Sequence, residues 1–126
     1  MVRSARAVAI ALALMLAVAA PVAAGGEARR SGPCSGGPGE WELRAGREDG
    51  GRIRVRFRID DVREGQRWQL FLSDNGARFY SGTKTARRGG EVRVQVRTRD
   101  RSGRDRIAAS GVNTRTGATC QGSVRY

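Results

Sequence analysis

Along most of this chain the hydrophobic positions recur at every second residue. The clearest case is residues 52–60, where Ile53, Val55, Phe57 and Ile59 alternate with Arg52, Arg54, Arg56 and Arg58. That period belongs to a strand with one face in a core and one in water. Residues 40–45 place Trp41 and Leu43 inward and Glu40, Glu42 and Arg44 outward. Residues 66–73 turn Trp68, Leu70 and Leu72 inward, and residues 91–99 alternate Val92, Val94 and Val96 with Arg93, Gln95, Arg97 and Arg99. Residues 105–113, with Ile107 and Ala109 inward, and 118–126, with Cys120 and Val124 inward, complete the pattern. Between them lie turn sequences: 47–51 and 61–65 with Asp and Gly, then 100–103 and 114–117. Asp74-Asn75-Gly76-Ala77 is a strong hairpin signal, because a two-residue Asn-Gly turn needs positive φ at both positions. That turn places Leu72 opposite Phe79 facing in, and Phe71 opposite Tyr80 facing out. Residues 83–90 read as a long polar link, and no stretch after residue 24 supports a long amphipathic helix. The expected architecture is all-β, a seven-stranded antiparallel β-sandwich over residues 40–126.

The first 24 residues follow a different rule. Arg3 and Arg6 precede an uncharged run from Ala7 to Ala20, then Pro21 and the small residues Val22-Ala23-Ala24. This is the layout of a secretory signal peptide over residues 1–24, cleaved after Ala24, with Ala23 and Ala19 as lesser sites. A membrane anchor is the competing reading, but the run falls short of the roughly 20 apolar residues that span a bilayer. Residues 25–39, rich in Gly, Ser, Pro and Arg, read as a flexible lead-in. The expected product is a secreted domain of 102 residues with no membrane span.

Export changes the meaning of the two cysteines. In an oxidising compartment Cys34 and Cys120 read as one disulfide. A redox pair or a zinc site is the alternative, but the two are far apart in sequence and the chain has no His. The lack of His also removes the usual general acid–base. Carboxylates remain, in Glu48-Asp49 and in Asp60, Asp61 and Glu64, but each group lies in a turn where acids serve the backbone. Gly36-Gly37-Pro38-Gly39 lacks the Lys-Ser/Thr and the helix of a phosphate loop. The sequence therefore predicts no enzyme, no cofactor and no metal.

The strand pattern resembles a fibronectin type III or immunoglobulin-like domain. Trp68 sits where such domains carry a core Trp on the third strand, and residues 107–113 with the following Gly-containing turn are similar to their sixth strand and hairpin. The bridge departs from the antibody arrangement, since it staples the chain ends. The chain is also similar to small exported actinobacterial proteins of unknown function, which implies compartment and fold rather than activity.

Charge then points to partners. The leader carries two of the 24 basic residues and none of the 12 acidic ones, so the remainder bears a net +10, and every basic residue but Lys84 is Arg. If the first, second and fifth predicted strands share a sheet, Arg52, Arg54, Arg56 and Arg58 lie beside Arg93, Arg97 and Arg99. Like charges directly opposite cost a sheet about 0.2–1 kcal/mol per pair. A face carrying that cost is a candidate for an anionic cell-wall polymer. The competing explanation is a solvated surface quenched by Glu40, Glu42 and Asp60. Phe71 and Tyr80, as an exposed aromatic pair, are the candidate anchor for an extracellular protein. The expected function is a secreted binding or interaction domain. An inhibitor or toxin using the 83–90 link is the second class, and a carboxylate-only enzyme the third.

Overall fold

The computed structural model describes residues 26–126, so the expected signal peptide lies outside the described residues. Among the described residues are eight strands rather than seven: β1 (Ala28–Pro33), β2 (Glu40–Glu48), β3 (Arg52–Asp60), β4 (Arg67–Asp74), β5 (Ala77–Thr85), β6 (Val92–Arg99), β7 (Arg106–Asn113) and β8 (Thr119–Arg125). They form two antiparallel sheets, β1-β2-β3-β6 and β5-β4-β7-β8. The inward rows meet between the sheets. Leu43, Ile53, Val55, Phe57, Ile59, Val92 and Val94 from one side face Trp68, Leu70, Leu72, Ile107, Ala109 and Val124 from the other, all buried. The sharing of one sheet by the first, second and fifth predicted strands is as expected, and Trp68 is a core residue on β4.

The extra strand is β1, in the segment that reads as flexible. Its composition lacks an alternating apolar row, so no local signal marks it. Pairing decides it: β2 offers an open edge, and Ala28↔Ala45 through Pro33↔Glu40 close that edge in register. Gly32 gives room for the Trp41 indole, whose ring atoms stand 3.1–3.2 Å from where a Cβ would be. Arg30, in register with buried Leu43, is exposed at the sheet edge. A charge at that position discourages further strand addition.

After Pro33 the chain changes sheets. The Ser35 N–H donates to Thr119 O at 2.8 Å and the Thr119 N–H donates to Ser35 O at 2.9 Å. Cys34 and Cys120 are disulfide-bonded beside this bridge, with Cα atoms 4.3 Å apart. The bond joins the end of β1 to β8, so it staples the first sheet to the second at one margin of the sandwich.

Two expected features of the β4–β5 region are corrected. Asn75 and Gly76 do form the tight turn, with φ of 48° and 85°, and Asp74↔Ala77 and Ser73↔Arg78 pair as the turn demands. Between Leu72 and Ser73 the register then shifts, so Leu72 opposes Tyr80 and Phe71 opposes Ser81. A β-bulge at Phe79 absorbs one residue and re-aims those that follow. The residues expected as a link at 83–90 are shorter than read: β5 continues to Thr85, and Arg87 N–H to Glu91 O (2.9 Å) closes a turn before β6.

Candidate anion-binding faces

The alternation of β3 and β6 sends their arginines to the outer face of the first sheet, and the register sets them directly opposite one another. Arg52 pairs with Arg99, Arg54 with Arg97 and Arg58 with Arg93, while Arg56 opposes Gln95 on one side and Arg44 on the other. The expected lattice of Arg52, Arg54, Arg56, Arg58, Arg93, Arg97 and Arg99 is therefore assembled on one surface.

Four carboxylates are threaded through it. Glu48 bridges Arg54 (Nη2–Oε1 2.6 Å) and Arg97 (Nε–Oε2 2.7 Å). Glu42 holds Arg44 at 2.6 Å and Arg29 at 2.7 Å, with Arg58 4.0 Å away. Asp60 takes the other side of Arg58 at 2.8 Å, and Glu91 takes Arg93 at 2.7 Å. The Arg54 hydrogen bond leads in lowering the Glu48 carboxyl below its ordinary pKa; desolvation opposes it, and the Arg54 and Arg97 charges add to it. Burial pushes the Glu42 carboxyl up, but the Arg44 hydrogen bond and the charges of Arg44 and Arg29 outweigh it, so the net shift is downward. Arg52, Arg56 and Arg99 have no carboxylate partner among the described residues. Arg56 Nε instead donates to Gln95 Oε1 at 2.8 Å. A depression of about 160 Å³ lies among Glu42, Arg44, Arg56, Arg58, Arg93 and Gln95.

The candidate aromatic pair is not brought together. Phe71 points outward from β4 and its ring carries the Arg78 guanidinium, 4.1 Å from the centroid. Tyr80, opposite inward-facing Leu72, is partly buried against the core together with Phe79. The bulge is the physical reason, since it moves Tyr80 out of register with Phe71.

Of the acids considered from sequence, Glu48 and Asp60 are engaged with arginine. The carboxylates that do gather are others. Asp74 and Asp105 are buried, with 2 % and 1 % of their surface exposed, and none of their four carboxylate oxygens has a hydrogen-bond donor. Desolvation leads in raising the Asp105 pKa to about 7; the Asp100 and Asp74 carboxylates add to it, as acceptors for the proton that Asp105 retains and by repulsion of its charged form. The sequence hides this group because Asp74 and Asp105 flank turns, where acids are ordinary. Among the described residues no group of three or more His, Cys, Asp or Glu is arranged to hold a metal ion. No helix there is long and apolar enough to cross a membrane.

Compared with known proteins, the chain matches no protein-family model, no curated protein and no solved structure.

Proposed function

We propose that this chain is an exported, non-enzymatic binding domain that holds an extracellular anionic polymer on the outer face of its first sheet. The observation that carries the reading is the register of β3 against β6, which sets Arg opposite Arg in three cross-strand pairs. Such pairs work against the sheet. The intervening glutamates offset part of that cost, and Arg52, Arg56 and Arg99 remain as donors whose planar forks suit phosphate or carboxylate. The polymer would neutralise the charge that the protein leaves unmatched.

Export rests on the N-terminal pattern of Arg3, Arg6 and the uncharged run, and the disulfide supports it. The fibronectin type III-like reading gains support from one pairing. β5, the fourth of the seven expected strands, pairs with β4 and not with β6. In the immunoglobulin constant order the fourth strand lies beside the fifth. β1 is an addition to that plan.

The test is elution of the purified protein from immobilised heparin by a salt gradient. Exchanging Arg52, Arg56 and Arg99 for Glu should move elution to clearly lower salt, because affinity for a polyanion falls steeply as salt competes. Exchanging Arg63, Arg67 and Arg115, exposed and away from that face, for Glu makes the same change in net charge and should move it much less. Equal shifts in both variants would reduce the lattice to a solvated surface.

A further inference from the structure

The outer face of the second sheet is built on the opposite principle from the first. Its outward positions are Gln69, Phe71 and Ser73 on β4, Ala108, Ser110 and Val112 on β7, and Gln121 and Ser123 on β8, with Arg78 and Arg106 near the hairpin and Arg67 at the far end of β4. No carboxylate lies among them. The ion pairs of the described residues all involve Arg29, Arg44, Arg54, Arg58, Arg93 or Arg97, which belong to the first sheet. Small side chains open the centre of this face into a shallow concavity of about 570 Å³, whose lining includes Ser73, Ala108, Ser110, Gln121, Arg78 and Arg106.

Three features of this hollow converge on one kind of ligand. Arg78 is held against the Phe71 ring at 4.1 Å. Stacking leaves its in-plane N–H donors free, and less side-chain freedom is lost when they bind. Arg106 borders the same hollow, and its backbone N–H is tied to Asn75 Oδ1 at 2.9 Å. Two cations beside one concavity with no acid in its lining call for an anion. The remaining polar lining is hydroxyl and amide, each able to donate and accept, which suits a ligand dense in hydroxyls. We propose that this concavity binds a sugar unit bearing a carboxylate or phosphate, with Arg78 and Arg106 on the anionic group and Ser73, Ser110 and Gln121 on the ring hydroxyls. The site lies on the other sheet from the arginine lattice and does not rest on the reading of that lattice.

The experiment is amide-shift titration of the purified protein with three probes: trigalacturonate, mannose 6-phosphate and uncharged galactotriose. The first two separate the carboxylate source from the phosphate source. The expected result is saturable shifts at Ser110, Gln121 and Ser123 with at least one acidic probe, and at least tenfold weaker response to galactotriose. The double variant R78Q/R106Q should weaken the acidic probe at least tenfold while keeping the parent's spectrum elsewhere. The R63Q/R115Q variant, changed at exposed positions outside both faces, should keep the parent's shifts at Ser110, Gln121 and Ser123. Equal response to galactotriose, undiminished binding in R78Q/R106Q, shifts confined to β3 and β6, or no response to either acidic probe would each overturn the assignment. Should R78Q/R106Q disturb the fold, R106Q alone tests the same point, since it leaves the Arg78–Phe71 stack in place.

Discussion

Gly122 stands under the Trp41 indole so closely that a Cβ there would collide with three ring atoms. The contact crosses from the first sheet to the second, and it explains a glycine in the middle of a strand, where the residue otherwise costs stability. Gly122→Ala should therefore destabilise the protein by about 1–3 kcal/mol, the usual cost of overpacking. Urea denaturation would measure it, and Ser123→Ala, one residue on and facing out, should cost under about 0.5 kcal/mol. Buried Asp105 makes a prediction of the other sign from most acids. Its folded pKa, about 7, lies above the ordinary value of 3.8. The folded state keeps a proton that the unfolded chain releases, so the stabilisation is complete below the unfolded pKa and is lost as pH rises through about 7. The melting temperature should fall between pH 5 and pH 8. Asp105→Asn, which cannot ionise, should flatten that dependence and raise stability at pH 8. A parent whose melting temperature rises over the same interval would contradict the assignment. Glu42 and Glu48, with lowered pKa values, contribute stability that is lost only as pH falls below the carboxylate range.

At the scale of elements, the β4–β5 hairpin shows both what local pattern determines and where it stops. Asn75-Gly76 specifies the turn because few residues accept positive φ. Gly76→Ala should cost about 1–2 kcal/mol from the left-handed backbone alone, measurable as a shift in the denaturation midpoint with the m-value unchanged. The bulge three residues further on, at Phe79, has no comparable signature. Phe79 and Tyr80 are adjacent aromatics, and either could face the core, so alternation cannot choose between them. The choice falls to packing: Tyr80 lies over Gly82 and against the core, which leaves Phe71 alone outside with Arg78. β1 marks the same boundary. Its six residues have no alternating apolar row, and its pairing comes from the open edge of β2 and the fit of Gly32 beneath Trp41.

On the scale of the whole molecule, the Cys34–Cys120 bond ties β1 to β8 across a sequence separation of 86. Closing a loop of that length restricts the unfolded chain by about 4–5 kcal/mol in the chain-entropy account, a large share of the stability of so small a domain. Replacing both cysteines with serine should lower the unfolding free energy by up to that amount. Alkylation of the unreduced, denatured protein should label no thiol. The two sheets also divide the charge between them. One carries arginine and glutamate interleaved, and the other carries neutral hydroxyls and amides with unmatched arginines toward its ends. Its strands predict the first distribution directly, since every second residue of β3 is an arginine.

What the sequence by itself determined is whatever repeats locally. The period of two marked six of the eight strands and their inward faces, Asn-Gly marked the hairpin and with it the start of β5, and two cysteines after a leader-like segment marked the bridge. The arginine row was legible for the same reason, as alternation along a single strand. What only the tertiary structure decided depends on residues distant in sequence. Which glutamate quenches which arginine, the burial of Asp74 with Asp105, the edge pairing of β1 and the concavity beside Phe71 all require strands in a particular order and register. Each of these depends on side chains brought together from separate strands, and no single-strand pattern contains that information.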